Sequence, residues 1–178
     1  KGPSTKYRLL MKGCMLKSLK IVTISPSLFL VDSAGPLKSL QVFMPLKGTL
    51  SHKRGNQKYE VVPGQGLIFS PNEQVNLTWS AESKVLLIHI SADAISTYIE
   101  QHVNSPLGIP LTFDNPFLNT ISHSWLTVVT GLCEEIDHDS SLLLEGITTR
   151  NWLDLIISTI LNTKQNSLFH FLDNLSCN

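Results

Sequence analysis

From Lys38 to Ile90 the chain alternates between apolar and polar positions. Leu40, Val42, Met44 and Leu46 fall on one face of an extended segment, Val75, Leu77 and Trp79 on another, and Leu86, Ile88 and Ile90 on a third. Period-two alternation rich in β-branched and aromatic residues predicts half-buried strands. The runs are separated by Lys47-Gly48, Lys53-Arg54-Gly55-Asn56, Pro63-Gly64-Gln65-Gly66, Ser70-Pro71-Asn72 and Ser80-Ala81-Glu82-Ser83. These are turn compositions, with Gly for positive φ and Pro for fixed φ.

Upstream, Tyr7 to Met11, Met15 to Ser25 and Ser27 to Val31 predict three more strands, the last closed by a turn from Asp32 to Pro36. Lys38 to Leu46 follows. Pro45 near its end cannot donate to a ladder, which predicts an edge or a bulge there. Thr49 to Lys53 and Gln57 to Val62 predict a hairpin around Arg54-Gly55-Asn56, and Gly66 to Ser70, Gln74 to Trp79 and Lys84 to Ile90 complete the set. About eight or nine antiparallel strands suffice to close a barrel around side chains or one small ligand.

At Ser91 the period lengthens. Ser91 suits an N-cap and Asp93 the first turn of a helix, after which Ile95, Tyr98, Ile99 and Val103 recur at helical spacing. Asn104 to Pro106 and Gly108 to Pro110 end it. Asp114-Asn115-Pro116 predicts a second helix, with an Asn cap and Pro at the first helical position. Its apolar face runs through Phe117, Leu118, Ile121, Trp125, Val128, Val129, Leu132 and Ile136. A third helix is expected from about Ser141 to Thr163, carrying Leu144, Ile147, Trp152, Leu155, Ile156, Thr159 and Ile160. Two helices of ~20 residues joined by a short turn pack antiparallel. The third also carries Leu142, Leu143, Leu153, Ile157 and Leu161, more than one buried face requires; either its own domain encloses it or a second subunit does. The fold class is α+β: an antiparallel barrel over 1–90, helices over 91–166 and a tail over 167–178.

Composition refines this. The 178 residues are 42% hydrophobic, enough for one core, and only 16% charged. No apolar run approaches the ~18 residues of a membrane span, and no compact apolar leader occurs near the N-terminus. The absence of an initial Met reads as a trimmed chain. The three cysteines, Cys14, Cys133 and Cys177, are far apart, which suits reduced thiols in a cytoplasm. The net charge is zero but polarised: Lys1 to Lys58 holds eleven bases and one acid, Tyr59 to Asn178 three bases and thirteen acids. A nucleic-acid face is one reading. The other is that basic strands and acidic helices attract each other within the fold or across a dimer.

Chemistry is sparse. The six histidines show neither His-x-His nor His-x3-His spacing, so each is read as structural rather than metal-ligating. No nucleophile elbow, phosphate-binding loop or dinucleotide fingerprint occurs. The acids Glu134, Glu135, Asp137 and Asp139 read as a solvated helix end.

Together, Gln41 to Gly48, Gly64 to Pro71, Val75 to Trp79 and Leu86 to Ile90 followed by a helix resemble the N-terminal, cupin-like regulatory domain of AraC family transcriptional regulators. The resemblance is strongest from Leu40 to Val103 and extends loosely to Thr163. It implies a small β-barrel that can hold an effector, a helical pair that dimerises, and DNA binding by a separate C-terminal helix-turn-helix domain that this chain does not include. The expected partners are thus a second copy and a small-molecule effector, with no membrane, no cofactor and no catalysis. Metal-dependent cupin isomerases and dioxygenases carry paired histidines and a Glu in a first motif and a His in a second. Here Gly48 is followed by one His52, Arg54 occupies the second histidine position, and Asn76 takes the place of the later His. A metal enzyme and a non-sensing interaction domain stay as alternatives. For an effector in the barrel, one parity choice lines it with Phe43, Tyr59, Phe69, Asn76, Thr78 and His89. The dimer interface is expected to use Trp125, Val129, Leu132, Ile136, Leu143, Trp152 and Ile156.

Overall fold

A computed structural model of the chain describes residues 9–26, 30–34, 37–102, 111–118, 121–162 and 166–167. The strands are β1 (Leu9–Met15), β2 (Leu19–Pro26), β3 (Leu30–Ala34), β4 (Ser39–Lys47), β5 (Leu50–Arg54), β6 (Gln57–Val61), β7 (Gly66–Phe69), β8 (Val75–Trp79), β9 (Lys84–Ser91) and β10 (Phe117–Leu118). The helices are α1 (Ala92–His102), α2 (His123–Asp137) and α3 (Thr149–Leu161). The expected end of the first helix at 104–110 and the apolar patch of the tail at 168–172 lie outside the described residues.

The strands form two antiparallel sheets, one of six strands ordered β1-β2-β9-β4-β7-β10 and one of four ordered β3-β8-β5-β6. The sheets face each other as a flattened, β-rich N-terminal barrel, and the helices cover the outside of the larger one. Alternation builds both layers. On β4 and β9, Leu40, Val42, Met44, Leu86, Ile88 and Ile90 point outward into a core shared with Ile95, Trp125, Val129, Leu132, Leu153 and Ile156 of the helices. The intervening Phe43, Val85 and Leu87 point inward to meet Leu50, Val61, Leu67, Phe69, Val75, Leu77 and Trp79. Both faces of the central strands β4 and β9 are therefore buried, which for an antiparallel sheet requires a layer on each side.

Turn chemistry holds the register. Gly48 sits at φ +74 between β4 and β5, where an added Cβ would meet Ser80 Oγ at 2.6 Å, so glycine is needed on two counts. Pro45 falls at a bulge, where the pairing of β4 with β9 shifts between Pro45 and Lys47, and beyond the stretch Gln41–Phe43 over which β4 pairs with β7. The stretch expected to turn from Asp32 is still strand as far as Ala34, held by pairing with β8.

Two helix starts differ from the sequence expectation. Asn115-Pro116 does not cap a helix. Asn115 Oδ1 accepts from Phe117 N at 3.0 Å, Ile68 N donates to the Pro116 carbonyl at 2.8 Å, and Phe117–Leu118 pairs with β7 as a short edge strand. The same side chain that can cap a helix here makes an Asx turn into a strand. The helix begins later, at His123, where Ser122 Oγ accepts from Trp125 N at 3.2 Å. Likewise α3 starts at Thr149, not near Ser141. Residues 141–146 are held as turns by the Glu135 carboxylate, which accepts from Ser141 Oγ at 3.2 Å and Leu143 N at 3.3 Å, and Gly146 leaves them at φ +83.

Part of the polarised charge is paired within the fold. Lys12–Asp137, Lys47–Glu82, Arg54–Glu73 and Lys58–Glu60 each join a base of the first 58 residues to an acid after them. All are largely exposed on at least one side, so each contributes little stability. No helix among the described residues is long and apolar enough to cross a membrane.

The layer between helices and sheet is where truncation should cost most. Leu132 is fully buried and Leu155 is 45% exposed. Leu132→Ala is expected to lower the urea unfolding free energy by about 2–5 kcal/mol, whereas Leu155→Ala should change it by no more than about 0.5 kcal/mol; equal effects would contradict the layering.

Candidate functional site

The interior between the sheets is built on aromatic rings. Phe43 meets Phe69 edge-on at 5.7 Å and Trp79 at 6.2 Å, and His52 abuts Phe69 edge-on at 4.8 Å while stacking on Tyr59 at 6.2 Å. Such pairs contribute directional contacts beyond area burial. His52 is inward because β5 pairs Leu50 with Trp79 and His52 with Leu77, both on the inner face of β8.

Two buried polar atoms there lack a partner, His52 Nε2 and Trp79 Nε1. His52 Nδ1 lies 2.9 Å from the Asn76 carbonyl, which can only accept, so Nδ1 carries the hydrogen. Burial lowers the His52 pKa, helped by Arg54 and opposed by the Asn76 hydrogen bond and Glu73. The neutral ring then presents a bare Nε2 lone pair to the interior, and Trp79 presents an N–H donor. Unpaired buried groups of this kind are costly unless something meets them.

A second polar group lies on β4 and β9. His89 Nδ1 is 3.3 Å from Ser39 Oγ, which also accepts from Gln41 Nε2 at 3.4 Å. Burial lowers the His89 pKa, with Lys20, its register partner on β2, adding to the effect.

Of the residues expected to line the interior, Phe43 and Phe69 are buried in it, and Tyr59 packs partly buried against it. His89 shares the parity of Val85 and Leu87 and is half-buried. Asn76 and Thr78 do not line it: Val75, Leu77 and Trp79 take the inner face of β8, leaving Asn76 exposed and Thr78 half-buried on the outer one. What Asn76 offers the interior is its backbone carbonyl, the partner of His52. Sequence reasoning missed His52 and Trp79 as interior polar groups. For Trp79 the signal was present, since it continues the apolar alternation of Val75 and Leu77.

Trp125, Val129, Leu132, Leu143 and Ile156 are buried in the chain's own outer core, with Ile136 and Trp152 packed partly buried against it. Trp125 Nε1 even points at Met44 Sδ on β4, 3.2 Å away. An interface on this hairpin would therefore use other side chains, and Leu126, Leu142, Leu144, Ile147 and Leu155 are the large apolar ones it exposes.

Among the described residues no three His, Cys, Asp or Glu side chains converge as metal ligands. Of the three cupin positions noted above, only His52 is buried in the interior. Arg54 is exposed at the hairpin end near Glu73 and the Asp114 carbonyl, and Asn76 faces outward.

This geometry, a flattened barrel with an aromatic interior and a helical layer, defines a cupin-like class of fold. The AraC-binding-like domain matches residues 2–161, and the chain belongs to that family. Among solved structures, the AraC-like transcriptional activator CuxR superposes with a TM-score of 0.62 at 11% identity, covering 99% of this chain and 69% of that one. A cupin superfamily protein from Desulfitobacterium hafniense gives a TM-score of 0.41 at 15% identity, covering 51% of this chain and 83% of that one. The Cnp3 cupin domain of Schizosaccharomyces pombe gives 0.43 at 8% identity, covering 59% and 80% respectively. No curated protein matches the sequence.

The two inward-facing histidines set an acid limit. A pKa lowered on folding from 6.5 means the unfolded chain takes up protons first. Stability is then fully present above about pH 6.5 and is lost as pH falls through the lower folded values. Unfolding in urea between about pH 7.5 and pH 5 should show this decline, and His52→Gln should make it shallower. A decline equally steep in the variant would show that His52 is not among the groups responsible.

Proposed function

We propose that this chain is the regulatory half of an AraC-type transcription regulator, which senses a small effector and associates with a second copy through its helices, and that it is not an enzyme. DNA binding would belong to a separate domain of the same regulator. Membership of the AraC-binding-like family and the likeness to an AraC-like activator support the regulatory part of this reading. The observation that carries the association part is the helical hairpin. Its inward face is consumed by the sheet, yet Leu126, Leu142, Leu144, Ile147 and Leu155 remain between 41% and 65% exposed. Apolar side chains in that number on one supersecondary unit favour a partner surface. A second copy is the simplest partner, because self-complementary dimers are the commonest assembly.

A second reading, an interaction module that senses nothing, draws on the interior already filled by Phe43, Phe69 and Trp79. A metal-dependent enzyme draws no such support, since only one of the positions its motifs would use is buried, and Arg54 and Asn76 stand where two of the ligands would be.

Sedimentation velocity at micromolar concentration tests the association. The chain should run as a dimer, and the double variant Ile147→Glu with Leu155→Glu should weaken association by about tenfold or more while leaving the unfolding transition in place. A wild-type chain that stays monomeric would refute dimerisation.

A further inference from the structure

The outer face of the large sheet is not fully sealed by α2. A cleft of about 430 Å³ lies between them, within the ~300–1,000 Å³ range of small-molecule pockets. Its floor is Ile21, Thr23, Met44 and Leu86 from β2, β4 and β9. Its roof is the face of α2 carrying Leu126, Val129, Thr130, Cys133 and Ile136. The walls are mainly apolar, and Cys133 stays a neutral thiol, because burial, with Asp137 and Glu134 nearby, pushes its pKa up.

Charge stands only at the rim. Lys12 and Lys84 are cations of the lining and Asp137 its carboxylate. Lys12 pairs with Asp137 at 3.7 Å across the mouth. Lys84 has no carboxylate partner among the described residues. It stands on β9 beside Lys47, its register partner, which pairs with Glu82. The lining thus keeps one uncompensated positive charge at the edge of an apolar slot.

We propose that this cleft, rather than the barrel interior, is the effector seat, and that it takes an amphiphile with an apolar body and a single anionic head. The body lies between Met44, Leu86 and the α2 face, and Lys84 meets the head. This deepens the regulatory reading and rests on it for the word effector. The interior between the sheets is filled by rings, whereas the cleft is bounded on one side by the helix whose hairpin partner exposes Leu155. Its occupant would bear directly on α2, and through Gly131 on α3: a Cβ at Gly131 would lie 3.3 Å from the Trp152 ring, so the two helices meet there without slack.

Calorimetric titration of the chain with decanoate, and with decanol as the uncharged control, tests this. Decanoate should bind; Lys84→Glu should weaken it by about tenfold or more, the scale of one lost charge-assisted contact. Decanol should bind more weakly and be indifferent to Lys84→Glu. Thr130→Trp, an exposed position that fills the cleft, should abolish both, with the unfolding transition checked in each variant. Absence of decanoate binding up to millimolar concentration would overturn the proposal. So would binding that survives both variants but is lost in His52→Phe, which would move the ligand into the barrel. A chain that proves monomeric yet binds decanoate in the expected pattern would refute the dimerisation reading and uphold this one.

Discussion

Two strands serve two cores. On β4 and β9 every second side chain belongs to the helical layer and the alternate ones to the interior between the sheets. A slip of one residue in their pairing would exchange the two sets. It would push Phe43 toward α2 and Leu40 and Val42 toward the small sheet, where neither core could fill its volume. The constraint is satisfied by a long ladder running from Ser39 opposite Ser91 to Lys47 opposite Lys84, broken only by the bulge after Pro45. The rest of the molecule depends on it. The helices have a surface to cover only because the outward set is apolar, and the small sheet closes only because the inward set is aromatic.

The same alternation explains where polar groups end up. His52, Trp79 and the Ser39–Gln41–His89 group sit on the inner face because parity puts them there. Burial lowers the pKa of both His52 and His89 and so favours their uncharged forms. Outside the sheet, parity collects Thr23, Met44 and Leu86 under α2, while the middle of the edge strand β1 supplies Lys12 and the first residue of β9 supplies Lys84. A cleft with an apolar floor and a cationic rim thus arises where the helix cover stops short of the sheet's exposed edge strand and of the start of β9, whose lysines meet water.

Much of this was legible before any coordinates. The change of period at Ser91 marks the border between sheet and helix to within a residue, and the outward faces of β4 and β9 follow from simple alternation. Asn76 and Thr78 were expected inside because they offered polar handles, although Val75, Leu77 and Trp79 already claimed that face of β8; hydrophobic burial outweighs the attraction of a candidate ligand group. The Asn115-Pro116 signature fits either a helix start or an Asx turn, and only the uncovered edge of β7 decides between them. The apolar stripe of α2 does not say whose surface it meets. Trp125 and Leu132 would serve a second subunit as well as they serve Met44 and its neighbours, so amphipathicity alone could not separate an interface from a core.

If β4 and β9 hold both layers, barrel and hairpin unfold as one unit. Native-state amide hydrogen exchange reads this residue by residue. The account predicts that amides of β4, β9 and the α2 segment around Val129 and Leu132 share the slowest exchange and the full unfolding free energy. Exchange of the α2 and α3 amides through a separate opening, several kcal/mol below that of the strands, would contradict it.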